Sequence, residues 1–442
     1  MAEVRLKCAL NKSYLPVLKT QQLVYLYIVI EAGEGVANVR APLNISLVLD
    51  KSGSMEGAKI ANLRDAAKNV VDVLDAGDYV SVIAFSDQVY TIASSTTAAD
   101  KDRLKKEIGR IRDGGGTAMS GGIRRGLMEI EKNLTPDRLN RMLLLTDGQT
   151  FGDEDQCQQL GTEMGSKGIV IQALGLGDDW NEDLLDQVAE ASGGKADLIE
   201  TSEEIIPFFQ EAVQRMQATV VQNAQLVLRL VNGVSPRQVW RVTPMIENLG
   251  YRPVSDEDIQ VPLGEIDKDQ GVALLAELLV SPRPEGKFRI AQAEVSYDVP
   301  ALKLVGEKAK ADVMIDFTSD AALSKQYDAF TMNLVEKVTA FKLQTRALNA
   351  AKMGDTDGAS KQLRAAATRL LQVGEKSLAQ AALAEAENLE QKGEMSAAGS
   401  KKLHYATRKL TRKPKAGEAQ ATEPQAEESQ AEGTAETGTS AT

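Results

Sequence analysis

The chain has 442 residues, with 51 Lys and Arg against 63 Asp and Glu and a formal net charge of -12. That length exceeds one ordinary core and predicts two or three domains, while the negative balance argues against nonspecific nucleic-acid binding. His404, the only His, sits among Lys401, Lys402, Arg408 and Lys409 and reads as a helix-surface residue rather than a catalytic base; Cys8 and Cys157 lack metal-ligand spacing and read as reduced thiols.

The opening Met1-Ala2-Glu3-Val4-Arg5-Leu6-Lys7 lacks the features of a signal peptide. The longest apolar run, Leu23 to Ile30, is strand-sized, so no membrane span is expected and the chain reads as soluble and cytoplasmic. Residues 3–10 alternate through Val4, Leu6, Cys8 and Leu10, and residues 21–30 are rich in Val, Tyr, Ile and Leu. Both read as strands, and two strands rarely bury enough surface alone, so their partners must come from later in the chain.

The apolar run Ile45 to Leu49 ends in Asp50-Lys51-Ser52-Gly53-Ser54, and a helix follows over about 58–76 with Ile60, Leu63, Ala67, Val70, Val71 and Leu74 on one face. This is the pattern of a buried parallel strand feeding a crossover. An Asp and two Ser on alternate residues point their oxygens to one side, and hard oxygens without His or Cys favour magnesium or manganese. Asp-x-Ser-x-Ser alone is also the composition of an ordinary helix cap. Next come a strand at 79–86, an antiparallel edge segment at Val89–Ala93, and a helix at about 100–112 capped by Asp100. Gly114-Gly115-Gly116-Thr117 then precedes the amphipathic stretch Met119–Ile130, and a second apolar run ends as Leu145-Thr146-Asp147-Gly148.

In order and spacing these residues resemble the metal-ion-dependent adhesion site of the von Willebrand factor type A (VWA) domain. The resemblance spans about residues 41–219 and includes the strand opening Gly77-Asp78-Tyr79. It implies a doubly wound, Rossmann-like α/β domain. It further implies that Ser52 and Ser54 ligate the ion through their hydroxyls, Thr117 ligates directly or through water, and Asp50 and Asp147 hold the ion's waters. The last coordination position would go to an Asp or Glu of a protein partner.

Beyond this site, Asp153, Glu154 and Asp155 read as the N-terminal cap of the next helix. The strand Ile169–Gly175 leads to Gly177-Asp178-Asp179-Trp180-Asn181-Glu182, a loop expected on the metal edge of the sheet. There Trp180 either contacts a partner or packs on its own helix. From 220 to 318 short strands (Gln225–Val231, Gln238–Thr243, Gly271–Val280, Phe288–Tyr297, Ala311–Ile315) are punctuated by Pro and Gly. They can supply partners for residues 1–40, which would insert the α/β domain into a discontinuous β-sandwich. That layout resembles inter-alpha-trypsin inhibitor heavy chain-like bacterial VWA proteins.

Residues 319–412 read as a helical bundle or hairpins, with Leu323, Tyr327, Phe330, Leu334, Val338 and Phe341 at helical spacing and a basic end, Lys401–Lys415, expected to be a solvated face. Ser360-Lys361-Gln362-Leu363 is faintly echoed by Ser400-Lys401-Lys402-Leu403. Residues 413–442 have the composition of a disordered acidic tail; Thr422, Thr434, Thr437 and Thr439 could meet a phosphothreonine reader, although a plain solubilising tail is the simpler reading.

The favoured function is a cytoplasmic, non-enzymatic scaffold that binds an acidic residue of another protein through magnesium. An alternative is the VWA partner subunit of an ATP-driven, MoxR- or chelatase-like remodelling complex; with no Gly-x-x-x-x-Gly-Lys-Ser/Thr loop in this chain, the ATPase would be a separate polypeptide. A metal-dependent hydrolase is disfavoured, because Asp50 and Asp147 would be committed to the ion's waters with no further base in the pattern.

Overall fold

The computed structural model describes residues 3–411 apart from Phe151 and Asp256; the tail and its threonines lie outside the described residues. Leu43–Asp50 is buried along its whole length and runs parallel to both neighbours, Tyr79–Phe85 and Leu139–Thr146. The six-stranded sheet around it runs Val89–Thr97, Tyr79–Phe85, Leu43–Asp50, Leu139–Thr146, Ile169–Leu176, Lys195–Ile199, with Val89–Thr97 the antiparallel edge. Leu43, Ile45, Leu47 and Leu49 pack with the helices Ala58–Val73 and Ile205–Ala218. Val48, on the opposite face, packs with Met119–Glu131, Glu154–Ser166 and Glu182–Ala191. Burial on both faces is why the strand reads as an unbroken apolar run. The chain leaves Leu43–Asp50 toward one side of the sheet and Leu139–Thr146 toward the other. The crevice between their carboxyl ends is therefore the place where open α/β sheets bind ligands. At the other end, buried Asp78 accepts from the Leu43 amide at 2.9 Å and pairs with Arg40, which gives Gly77-Asp78-Tyr79 its structural role.

The N-terminal strands find their partners after residue 219. Val4–Leu10 pairs with Gln22–Ala32, which pairs on its other edge with Val272–Val280; Val234–Thr243 and Glu247–Asn248 complete a five-stranded sheet. A second sheet runs Arg252–Pro253, Asp258–Asp267, Thr219–Leu230, Gly286–Val299, Leu304–Thr318, Tyr14–Pro16. The two sheets share one core, including Leu26, Ile28 and Leu274 from the first and Leu228, Val261 and Val295 from the second.

The C-terminal helices Ala329–Lys352, Thr356–Gln372, Lys376–Lys392 and Ala397–Arg408 cover the outer face of the five-stranded sheet, where Trp240, Val242 and Leu275 meet Leu334, Val338 and Leu363. The long helix begins later than its apolar spacing suggests. Asp328 caps it by accepting from the Thr331 amide at 2.7 Å, so Tyr327 precedes the helix and Phe330 falls in its first turn, both exposed.

The basic end of the helical region is a contact rather than a solvated face. Lys401 is buried and donates to the carbonyls of Asp178 and Trp180. His404 lies 3.0 Å from Asp186, Arg408 reaches Asp186 and Glu190 at 3.3 Å, and Lys409 meets Asp197 at 2.6 Å. The physical reason is complementarity: a basic helix seats on the acidic segment of the α/β domain between Asp178 and Glu200. Cys8 and Cys157 are both free thiols. Among the described residues, no helix is long and apolar enough to cross a membrane.

An ion pair joins the α/β domain to the sheet that contains Asp258–Asp267: Arg141, its side chain 2 % exposed, lies 2.6 Å from Glu265. Glu265→Ala would leave a buried guanidinium unpaired and should lower stability by about 3 kcal/mol. Urea denaturation checks this, and a loss below about 1 kcal/mol, the range of surface pairs, would contradict the assignment.

Candidate metal site

At the end of its strand Asp50 has no exposed surface. Its Oδ1 accepts from the Ser52 amide at 2.8 Å and its Oδ2 from the Thr146 hydroxyl at 2.5 Å. Burial pushes its carboxyl above the usual range, against the opposing pull of these bonds. The turn Gly53–Met55 follows and brings the Ser52 and Ser54 hydroxyl oxygens to 3.0 Å from each other. Ser54 in turn donates to Asp147 Oδ1 at 2.7 Å, and Lys59 donates to Asp147 Oδ2 at 2.5 Å. Asp50, Ser52, Ser54 and Asp147 thus form one bonded chain across two adjacent strand ends.

Thr117 joins the group by proximity. A Cβ built at Gly148, the residue after Asp147, would lie 3.4 Å from Thr117 Oγ1 and 3.8 Å from Ser54 Oγ, so both hydroxyls border the same point. The glycine loop before Thr117 is tied down by backbone bonds, from the Gly53 amide to the Gly115 carbonyl at 3.0 Å and from the Gly114 amide to the Lys51 carbonyl at 2.8 Å. Gly114 and Gly115 have φ of 134° and 92°, conformations that side chains rarely adopt. A Cβ at Gly115 would also stand 2.2 Å from Asp87 Oδ1. The glycines therefore serve a close approach of two loops.

Three residues that sequence reasoning passed over support the group. Thr146 holds Asp50, as described. Thr150 accepts from the Met119 amide at 3.3 Å, and its hydroxyl, which donates to Asp153, also lies 3.1 Å from the Thr117 carbonyl, fixing the entry to the helix after the loop. Asp153 stands at the helix start where a cap was expected, but its carboxylate accepts instead from Thr150 and from the Ser120 amide. The third residue, Lys59, left one signal in the sequence, a cation in the first turn of a helix, where acidic residues are favoured. Trp180 is buried rather than presented at the rim: its Nε1 donates to Gly177 O at 2.7 Å and its ring packs against Tyr405.

The donor set suits a hard divalent ion. Every expected ligand is an oxygen, and adjacent ligands of an octahedral magnesium at about 2.1 Å lie roughly 3 Å apart. The Ser52 to Ser54 hydroxyl spacing of 3.0 Å matches that edge, while Asp147, expected to hold the ion's waters, accepts from Ser54 at 2.7 Å. Asp50, Ser52 and Asp147 are buried, whereas Ser54, Gly115, Gly116 and Gln149 are exposed around them, so the floor is buried and the rim open.

Fold and site together define a protein built on a von Willebrand factor type A domain, which residues 44–212 match, followed by a segment, residues 331–413, that matches the Sll0103-like C-terminal alpha-helical domain. The chain is 30% identical over 335 residues to the uncharacterized protein sll0103 of Synechocystis sp., an alignment covering 74% of this chain and 78% of that one. It belongs to the Sll0103-like family. Inter-alpha-trypsin inhibitor heavy chain H2 of Homo sapiens is 30% identical over 185 residues, which is 38% of this chain but only 20% of that protein. Among solved structures, the von Willebrand factor type A protein from Catenulispora acidiphila aligns with a TM-score of 0.71 at 18% identity, covering 91% of this chain and 96% of that one. At that identity the likeness is one of fold, and it takes in both β-sheets and the helices as well as the α/β domain.

Thr146→Val keeps the side-chain volume while removing the hydroxyl that Asp50 accepts from. It should cost about 2 kcal/mol, the scale of a hydrogen bond to a charged group. Urea denaturation beside wild type measures the difference, and an unchanged midpoint would show that Thr146 does not hold Asp50.

Proposed function

We propose that this chain is a metal-dependent protein-binding scaffold whose VWA domain uses a metal-ion-dependent adhesion site. The observation that supports this best is the buried Asp50 beside the Ser52 and Ser54 hydroxyls, which are set at the edge spacing of an octahedral ion at the sheet's switch point, with Ser54 open to solvent. Ser52, Ser54 and Thr117 would hold magnesium or manganese through their hydroxyls, with Asp50 and Asp147 orienting its waters. When bound, such an ion supplies a positive seat for the carboxylate of an Asp or Glu on a partner protein.

The protein's own residues do the positioning. Thr146 and the Ser52 amide fix the Asp50 carboxylate, and Ser54 links the two strand ends. The glycine loop, pinned by Gly53 and Lys51, carries Thr117 to the rim. Neutral hydroxyls around an ion leave its charge incompletely compensated, which favours an added carboxylate. The reading is non-enzymatic, since both site carboxylates are engaged in holding neighbours. Residues 1–40 and 220–318 are read as one discontinuous β-sandwich into which the VWA domain, 41–219, is inserted, with 319–412 as a helical bundle. The free thiols of Cys8 and Cys157 fit a reducing compartment such as the cytoplasm.

Two substitutions separate the roles. Asp50→Ala should weaken magnesium binding by about 10- to 100-fold, the usual cost of losing a group that orients metal ligands, and abolish magnesium-dependent partner capture. Thr117→Ala should reduce partner capture more than metal affinity, because it removes one neutral donor on the loop. Calorimetric titration of magnesium, beside pulldown from native lysate in magnesium or EDTA, reads both. Equal loss of metal affinity in the two variants would refute the division of roles, and unchanged binding in Asp50→Ala would remove the metal site.

A further inference from the structure

Lys59 is out of place by the ordinary rules of a helix. It is the second residue of Ala58–Val73, whose first turn has no acidic residue and no side-chain cap, and the positive end of a helix disfavours a cation. Its partner lies across the fold: the ammonium stands 2.5 Å from Asp147 Oδ2, with the Asp147 side chain fully buried and that of Lys59 37 % exposed. The other oxygen of Asp147 is taken by Ser54. Asp50, by contrast, receives only neutral donors, Thr146 and Ser52. The neighbouring cation Lys51 is turned away, donating to Gly114 O at 3.2 Å and lying 4.8 Å from the centre of the Tyr90 ring. The two site carboxylates are therefore treated unequally, and Lys59 is the cation on the pair.

We propose that Lys59 sets the charge of the metal site so that a bound dication retains an appetite for an external carboxylate, at a cost in metal affinity. This rests on the metal-site reading above and adds a residue outside the expected ligand set. Although the hydroxyls in contact with the ion would be neutral, Asp50 and Asp147 behind its waters would together balance a dication's charge, and a partner carboxylate would then make the whole site negative. With Lys59 paired to Asp147 the loaded site carries one net positive charge, which one incoming carboxylate cancels. The same ammonium opposes entry of the metal, since both are drawn to Asp147. Lys59 is thus a positioning residue whose removal should move the two affinities in opposite directions.

The test titrates manganese alone into wild type, Lys59→Met and Lys59→Arg, then titrates acetate as a carboxylate probe into each manganese-loaded protein, followed by water-proton relaxation. Lys59→Met should bind manganese about tenfold more tightly and acetate about tenfold more weakly, as expected for deleting one charge beside the ion. Lys59→Arg should stay near wild type in both. Loss of both affinities together in Lys59→Met, as a mere prop for Asp147 would give, overturns the proposal, and so does no change in either. Wild type failing to take up manganese at all would instead overturn the metal site itself, and the proposal with it.

Discussion

A carboxylate with no exposed surface, held by neutral donors of Ser52 and Thr146, is the constraint on which the centre of this protein depends. Burying an anion is costly unless donors meet it. Asp50 obtains them only when three things hold together. Leu43–Asp50 must lie in register beside Leu139–Thr146, so that Thr146 arrives opposite its side chain. The chain must turn sharply after Lys51, so that the Ser52 amide folds back. The glycine loop must also close over Lys51 and Gly53, which its positive φ values permit. Helix packing secures the same register from one face: a Cβ at Gly126 would stand 2.6 Å from both Met142 and Val48, so the helix Met119–Glu131 rests almost directly on the two central strands.

The site is joined to the rest of the chain through the loop after Ile169–Leu176. Trp180 lies over Gly175, where a Cβ would stand 2.1 Å from the ring, and is covered by Tyr405 and Lys401 of the last helix. The C-terminal helices thereby cover the five-stranded sheet and also brace the metal edge of the α/β domain. A crevice of about 510 Å³ remains between Gln149 and Asn181 on one side and Leu348, Leu389 and Met395 on the other. Gln149, on the rim of the expected site, thus also faces the C-terminal helices across this crevice.

Much of this was legible because it is local. The Asp-x-Ser-x-Ser turn, Thr117 after its glycines and Asp147 at a strand end are readable because an open sheet gathers ligands at strand tips, and each tip is a short sequence signal. The incompleteness of the first two strands was legible too, since a hairpin's apolar face needs a cover. What escaped depends on contacts between distant residues. Thr146 looks ordinary until Asp50, 96 residues away, is brought alongside, and Lys59, a cation misplaced in a helix's first turn, has no visible reason until Asp147, 88 residues away, meets it. The strand Asp258–Asp267 alternates through Ile259, Val261 and Leu263 but carries Pro262 and Gly264, residues that argue against a strand, at its exposed positions, and Tyr14–Pro16 is too short to show a period. The basic last helix looked solvated because a charged face in sequence does not reveal the acidic face it will meet; seating on Asp186, Glu190 and Asp197 turned it into an interior contact.

The central claim is that Ser52, Ser54 and Thr117, over Asp50 and Asp147, form one site for a single divalent ion. Diffraction from crystals grown in manganese, with an anomalous difference map calculated without any ion, tests it most directly. The account predicts one strong peak within ligand distance of the Ser52 and Ser54 hydroxyls. A map with no peak there, or with its strongest peak elsewhere on the protein, would contradict it.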